Sequence, residues 1–145
     1  MRESLIVRKL RYQLEKQLPE AVVFKLSDLR TSGIPDVCVN YRRAVAWVEV
    51  KLLKEHETLS TFRQHLDALQ LAMCIKLERQ VFCRYLIAMP GHPLQGVVIQ
   101  PSALRQVRED DTLNFDELRR LATDVGSLDV VIDDLVMAVR GLQQP

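Results

Sequence analysis

Two neighbouring stretches decide the fold: Ser32-Gly33-Ile34-Pro35-Asp36-Val37-Cys38-Val39-Asn40, and then Ala46-Trp47-Val48-Glu49-Val50-Lys51. Each has the apolar, β-branched composition of a short strand, and each carries charge where a plain core strand would not. Asp36 follows a proline at the start of the first strand. Glu49 and Lys51 share one face of the second strand, because strand side chains alternate. Three charged groups at one end of a small sheet are costly to bury, so we expect them to bind a ligand.

The length of the turn between these strands determines whether Asp36 meets Glu49. A loop of two or four residues places the two carboxylates opposite each other, whereas a three-residue loop turns Asp36 to the other face. Arg42-Arg43 is a poor sequence for a two-residue turn, which favours the four-residue loop Tyr41–Ala44. We therefore predict that Asp36 faces Glu49.

Apolar periodicity predicts the elements around this hairpin. A helix over 3–18 and a strand over 21–26 precede it. A helix over 59–79, strands over 82–89 and 94–100, and helices over 101–108, 115–124 and 128–142 follow. The stripe expected to face the core on the helix after the hairpin consists of Phe62, Leu66, Leu69, Met73 and Leu77. Because a crossover helix joins the hairpin to the next strand, that strand should lie parallel to an earlier one.

Composition and charge set the broad class. The 145 residues are 48% hydrophobic and 27% charged, as in one ordinary globular domain, and no apolar run is long enough for a membrane span. We therefore expect no membrane association. The three cysteines have no CxxC spacing, which favours a reducing, cytoplasmic location over a disulfide framework.

Charge is unevenly distributed along the chain. Residues 1–108 hold 17 Lys/Arg against 10 Asp/Glu, whereas residues 109–145 hold 3 against 9. A basic body suits phosphate binding. We expect an α/β domain over 1–108 and an acidic helical extension over 109–145, packed on the domain or used for dimerisation.

The chemistry of the charged hairpin indicates a metal site. Two adjacent carboxylates repel each other and both stay ionised only when a cation lies between them. Oxygen ligands favour Mg²⁺ or Mn²⁺, and the main-chain carbonyl of Val50 offers a third oxygen beside Asp36 and Glu49. Lys51 would stabilise charge that develops on a phosphate. These are the groups needed for metal-assisted phosphodiester hydrolysis.

The spacing also resembles a known signature. Gly33-Ile34-Pro35-Asp36, then 12 residues, then Glu49-Val50-Lys51 is similar to the motif of the PD-(D/E)xK nucleases, and more narrowly of the VRR-NUC (virus-type replication-repair nuclease) family. Glu3 on the first helix, Lys25 on the strand before the loop, and Gln64 on the helix after the hairpin agree with that family. The resemblance covers about residues 1–90. It implies a restriction-endonuclease-like αβββαβ core, with a mixed sheet flanked by helices.

The resemblance further implies a Mg²⁺- or Mn²⁺-dependent DNA endonuclease that selects branched DNA, such as four-way junctions or flaps, as in DNA repair. Small family members often come from phages or mobile elements, and some are homodimers. Asp36, Glu49 and the Val50 carbonyl would hold the metal, and Lys51 would act in catalysis with them.

The remaining candidates divide into two groups. Glu3 and Gln64 are further catalytic candidates, and the residues expected to contact DNA are Lys25, Arg42, Arg43 and Arg63. The alternative is a catalytically silent nuclease-fold module that binds DNA or a protein partner.

Overall fold

The computed structural model describes residues 1–26 and 34–142 of the chain. Its elements in chain order are α1 (Glu3–Gln17), β1 (Val22–Lys25), β2 (Val37–Tyr41), β3 (Ala44–Leu52), α2 (Leu59–Gln64), α3 (Ala68–Glu78), β4 (Phe82–Met89), β5 (Gln95–Ile99), α4 (Pro101–Glu109), α5 (Phe115–Leu121), β6 (Asp124–Ser127) and α6 (Leu128–Arg140). The predicted polar loop and the Ser32-Gly33 part of the motif lie outside the described residues.

The six strands of the described chain form one mixed sheet in the order β1-β2-β3-β4-β5-β6. Every neighbouring pair is antiparallel except β3 and β4, which run parallel. The connection between those two strands contains α2 and α3, as a parallel crossover requires. The predicted αβββαβ core and its parallel strand pair are confirmed.

The sheet separates two apolar clusters, and β3 contributes to both. Val48 and Val50 face the cluster formed with α1 and α6. Trp47 packs against the opposite cluster, which includes side chains of α2, α3 and α4. Because alternate residues of a strand share a face, Glu49 and Lys51 lie on the Trp47 side. The charged groups of β3 thus face the layer of helices that follows the hairpin.

The register of the hairpin is the one that the charged motif requires. Val37 pairs with Val48, so the same register continued by one residue places Asp36, which directly precedes β2, opposite Glu49. This confirms the prediction of an even-length turn.

The length of that turn, however, differs from the prediction. Tyr41 pairs with Ala44, which leaves Arg42 and Arg43 as a two-residue turn with φ angles of 48° and 68°. These left-handed angles match a type I′ turn, which other residues fill more easily. The Arg42 guanidinium lies over the Tyr41 ring, 5.1 Å from its centre, and Arg42 Nε is 3.4 Å from Glu20 Oε2. Strand pairing and these contacts outweigh the weak local preference.

The single helix predicted over 59–79 is also wrong, because the chain breaks it between α2 and α3. The Asp67 side chain accepts hydrogen bonds from the backbone N–H groups of Leu69 and Gln70, and so caps a new helix. The break changes the helical phase, so Leu69 and Met73 of the predicted core stripe are 69% and 42% exposed. The side chains of α3 that are buried instead are Leu71, Cys74 and Ile75.

The C-terminal part contains a strand where a helix was expected. Asp124 begins β6, which pairs antiparallel with β5 through Val125 and Gly126 and extends the sheet. The helix predicted to reach Asp124 ends at Leu121. Helix α6 then packs its apolar face, including Ile132, into the same cluster as α1. In the described chain no helix has both the length and the apolar character needed to cross a bilayer.

Candidate active site

Asp36 and Glu49 are linked through the backbone as well as by proximity. The backbone N–H of Asp36 donates a hydrogen bond to Glu49 Oε1 at 3.0 Å. The backbone N–H of Val50 donates to Asp36 Oδ2 at 2.9 Å. Each carboxylate is therefore held by the strand that carries the other, which fixes both groups at the mouth of the β2–β3 hairpin. This is the arrangement that the register prediction anticipated.

Lys51 completes the cluster. Its Nζ lies 3.3 Å from Glu49 Oε2, and the side chains of Lys51 and Glu49 are only 17% and 3% exposed. The two residues share a face of β3 because they are two positions apart. A largely buried ammonium beside two carboxylates can balance one negative charge but not both.

The pKa of Glu49 reflects this imbalance. Burial, followed by the neighbouring Asp36 carboxyl group, raises the pKa of Glu49 to about 9, against the opposing influence of Lys51. At neutral pH Glu49 therefore holds a proton, and a bound cation would compete with that proton. The site is electrostatically prepared for a positive ligand.

This donor set fits a hard divalent metal ion. No group of three or more His, Cys, Asp and Glu side chains in the described ranges is arranged around a common metal position. The two carboxylates, with the Val50 carbonyl, nevertheless give oxygen ligands of the kind that Mg²⁺ and Mn²⁺ prefer while retaining several waters. The pKa of Glu49 is raised by burial and by the Asp36 carboxyl group, and Lys51 offsets these effects only in part. The residues present therefore suit the predicted metal.

Glu3 lies at the same end of β3, although it comes from α1. The backbone N–H of Leu52 points toward Glu3 Oε1 at a distance of 3.4 Å. Because Leu52 follows Lys51, the first turn of α1 stands beside the last residues of the charged strand. The structure thus brings Glu3 to the edge of the cluster that it was predicted to join.

Gln64 has a weaker connection to the cluster. It is exposed at the last position of α2, in the helical layer that faces Glu49 and Lys51. In the part of the chain that the structure describes, it makes no hydrogen bond to Asp36, Glu49 or Lys51. Its catalytic role stays a prediction.

Arg63 occupies a different environment from the one predicted. Its side chain is 8% exposed, and its Nε and Nη2 donate to the carbonyl oxygens of Val107 and Leu113 at 2.6 and 2.7 Å. The guanidinium joins α2 to α4 and to the segment that follows α4. The expectation that Arg63 contacts DNA is therefore corrected: burial and these two hydrogen bonds make it structural.

The other predicted DNA contacts lie on the surface. Arg42 and Arg43 are exposed at the tip of the β2–β3 turn. Lys25 is exposed at the end of β1 and lines a cavity of about 370 Å³ against α1. The residues of α1 that share this cavity with Lys25 are Ser4, Val7, Arg8, Arg11, Tyr12 and Glu15. Arg8 and Arg11 lie three positions apart, on one face of the helix.

Comparison with known proteins identifies the fold. No protein-family model matches the chain, and no curated protein matches it. A solved structure that it resembles is that of Hjc, a Holliday junction resolvase from the archaeal hyperthermophile Archaeoglobus fulgidus. The match has a TM-score of 0.55 at 15% sequence identity and covers 89% of this chain and 98% of that one. The chain therefore has a restriction-endonuclease-like fold, shared with this resolvase.

Proposed function

We propose that the chain is a metal-dependent DNA endonuclease that prefers branched DNA. The observation that carries this proposal is the Asp36–Glu49–Lys51 cluster, in which two carboxylates and an ammonium are fixed at one end of the sheet. A structural ion pair needs one acid and one base. The second, crowded carboxylate is explained by a ligand that requires it.

The residues have distinct roles in this proposal. Asp36, Glu49 and the Val50 carbonyl would hold Mg²⁺ or Mn²⁺. Such an ion would supply polarisation of a phosphodiester oxygen and activation of a water for attack. Lys51 stabilises the negative charge that develops on the phosphate. Glu3, beside Leu52, helps to position the reacting groups at the end of β3, and Gln64 is a further candidate from α2.

The choice of DNA rests on charge and on fold. Lys25, Arg8 and Arg11 line one cavity, and Arg42 and Arg43 project from the hairpin tip, which together give a basic surface for backbone phosphates. The fold is shared with a Holliday junction resolvase, which supports a four-way junction as the preferred substrate. The same proposal includes membership of the VRR-NUC family, an intracellular role in DNA repair and an origin in a phage.

A homodimer would place two active sites on one junction. Val130 and Met137 are 55% and 51% exposed on α6 and offer an apolar surface for such contact. Paired incisions would be expected of the dimer, whereas a monomer would release single nicks.

A cleavage assay tests the proposal. End-labelled linear, flap and four-way-junction DNA is incubated with protein in Mg²⁺, in Mn²⁺ and in EDTA, and products are resolved on denaturing gels. We expect metal-dependent cleavage of the junction, lost in Asp36→Asn and kept in Asp124→Asn, a control on β6, where Asp124 neighbours the carboxyl group of Asp134 on α6. If the protein binds the DNA tightly but cleaves it in neither Mg²⁺ nor Mn²⁺, the catalytically silent module is favoured instead. Cleavage that survives Asp36→Asn would refute the assigned site.

A further inference from the structure

A second surface, separate from the Asp36–Glu49–Lys51 cluster, lies between α3 and α4. We call it the α3–α4 groove. It has a volume of about 370 Å³ and is lined by Ala68, Leu71, Ala72, Ile75, Lys76, Arg79, Arg105, Arg108 and Glu109. Four of these side chains are aliphatic, four are cationic and one is acidic. None belongs to the proposed active site, so the groove is distinct from the residues to which catalysis is assigned.

The groove runs between two antiparallel helices. Glu78 at the end of α3 accepts hydrogen bonds from the N–H and hydroxyl of Ser102 at the start of α4. At the other end, Arg108 Nε donates to the Leu66 carbonyl just before α3. The groove therefore has a fixed length set by the 11 residues of α3, about 16 Å at 1.5 Å per residue. That length accommodates roughly three turns of a helical peptide.

Cationic side chains outnumber acidic ones in the groove by four to one. Lys76, Arg79, Arg105 and Arg108 form no ion pair with any carboxylate of the described residues. Glu109 is the one acid among the lining residues. On α5, by contrast, Arg119 and Arg120 each form an ion pair with a carboxylate of the same helix. This excess of positive charge favours an acidic binding partner.

Apolar side chains distinguish this groove from a phosphate-binding surface. Leu71 and Ile75 form its floor, and Ala72 is exposed within it. Leu69 and Met73 stand on the adjoining face of α3, 69% and 42% exposed. Exposed apolar side chains rimmed by charge are typical of protein interaction sites, and they gain nothing from contact with a DNA backbone.

We propose that the α3–α4 groove binds an acidic amphipathic peptide segment of a partner protein. The apolar residues of the peptide would cover Ala72, Leu69 and Met73, and its carboxylates would meet Lys76, Arg79 and Arg105. This is the helix-in-groove mode of recognition, in which an apolar stripe binds and flanking charges set orientation. The partner would bring the protein to its site of action without touching the residues assigned to catalysis.

The test measures peptide and DNA binding separately. Fluorescein-labelled twelve-residue peptides carrying leucine at positions i, i+4 and i+8 and glutamate elsewhere are titrated with the full chain by fluorescence anisotropy. A matched peptide with glutamine for glutamate, and a 20-base-pair DNA duplex, are titrated in parallel. We expect the glutamate peptide to bind at least about tenfold more tightly than the glutamine peptide.

Two double variants separate the contributions of charge and of apolar contact. Arg79→Glu with Arg105→Glu reverses charge at the rim, and Leu69→Gln with Met73→Gln removes exposed apolar groups while keeping good helix formers. Each should weaken peptide binding about tenfold or more and leave DNA affinity unchanged. Arg119→Glu, outside the groove, should change neither. Thermal melts of every variant show that the comparison is between folded proteins.

Other outcomes would overturn the proposal. Loss of duplex binding in Arg79→Glu with Arg105→Glu, together with normal binding in Leu69→Gln with Met73→Gln, would make the groove a nucleic-acid site. Equal affinity of the glutamate and glutamine peptides, or no binding by either at millimolar protein, would show that the groove has no acidic peptide ligand. Junction cleavage is measured separately, so neither result depends on the nuclease proposal.

Discussion

Two pairs of crowded carboxyl groups among the described residues are built differently. In the first pair, Asp36 and Glu49 accept hydrogen bonds from backbone N–H groups of each other's strands, and Lys51 lies 3.3 Å from Glu49. In the second, Asp124 at the start of β6 neighbours Asp134 on α6, and Asp124 Oδ2 is buried without a hydrogen-bond partner. Burial and a neighbouring carboxyl group raise the pKa of one acid in each pair, Glu49 and Asp124.

The difference shows what a raised pKa does and does not indicate. Burial and crowding together raise the pKa of Glu49 in the first pair and of Asp124 in the second. Only in the first pair does each carboxylate accept a hydrogen bond from the backbone that carries the other, and only that pair has a cation within ion-pair distance, Lys51, of the kind that phosphoryl chemistry uses. Structural support, rather than the pKa shift, therefore separates the candidate active site from an incidental pair of acids.

The largest difference between the two pairs should appear in DNA cleavage when one acid of each pair is neutralised. Asp36→Asn keeps an oxygen to accept the Val50 N–H but removes the metal-binding charge, so single-turnover cleavage of a four-way junction should fall by roughly 10³-fold or more. Asp124→Asn should stay within about twofold of wild type, since Asp124 contacts no proposed catalytic group. Equal losses in the two variants would erase the distinction between the pairs.

Removing the cation from the first pair should have the next largest effect. Lys51→Met keeps much of the side-chain length but removes the ammonium, and kcat should fall roughly 10²-fold, as when one transition-state donor is lost. KM should change little, because the contribution is expected in the transition state. Lys54→Met, at an exposed position nearby, is the matched control. A rise in KM alone would assign Lys51 to DNA binding.

Metal binding gives a third comparison, measured without any DNA. Addition of Mn²⁺ at 100 times its Kd should stabilise the wild-type fold by about 2.7 kcal/mol, which corresponds to a rise in Tm of roughly 5–10 °C. The shift should vanish in Asp36→Asn and persist in Asp124→Asn. Differential scanning fluorimetry measures it. A shift lost only in Asp124→Asn would move the metal to the second pair.

Much of the first site could be predicted from sequence, because its elements are local. Strand alternation placed Glu49 and Lys51 on one face, and the parity of the turn placed Asp36 opposite Glu49. Neither inference needed the turn length itself, which was predicted as four residues and is two. The predicted pairing of Asp36 with Glu49 was correct despite this error, because turns of two and of four residues give the same facing residues. The turn type itself depends on weak local preferences.

The parts that sequence reasoning missed depend on long-range packing. Strand β6 has only four residues, and Val125 and Gly126 form part of a sheet only because β5 lies beside them. Arg63 resembles any surface arginine in the sequence, and its burial follows from the carbonyls of Val107 and Leu113, more than forty residues away. Asp67 is a residue type that commonly caps helices, and it was the signal for the helix break in the sequence. The continuous apolar stripe favoured one long helix instead.

The smallest predicted effect concerns pH and uses Glu49 itself. Because the folded state raises the pKa of Glu49 above its unfolded value of about 4.3, ionising this group opposes folding, and the cost appears as pH rises from about 4 toward 9. Glu49→Gln removes that cost. In EDTA the variant should therefore match wild type in urea unfolding near pH 4 and exceed it by at least about 1 kcal/mol at pH 8.

Asp124→Asn should show a smaller gain of the same sign, since Asp124 is more exposed. The opposite result is that the free energy of unfolding of wild type rises relative to that of Glu49→Gln as pH increases. It would mean that attraction to Lys51 outweighs burial in setting the pKa of Glu49, and the first pair would then be a structural ion pair.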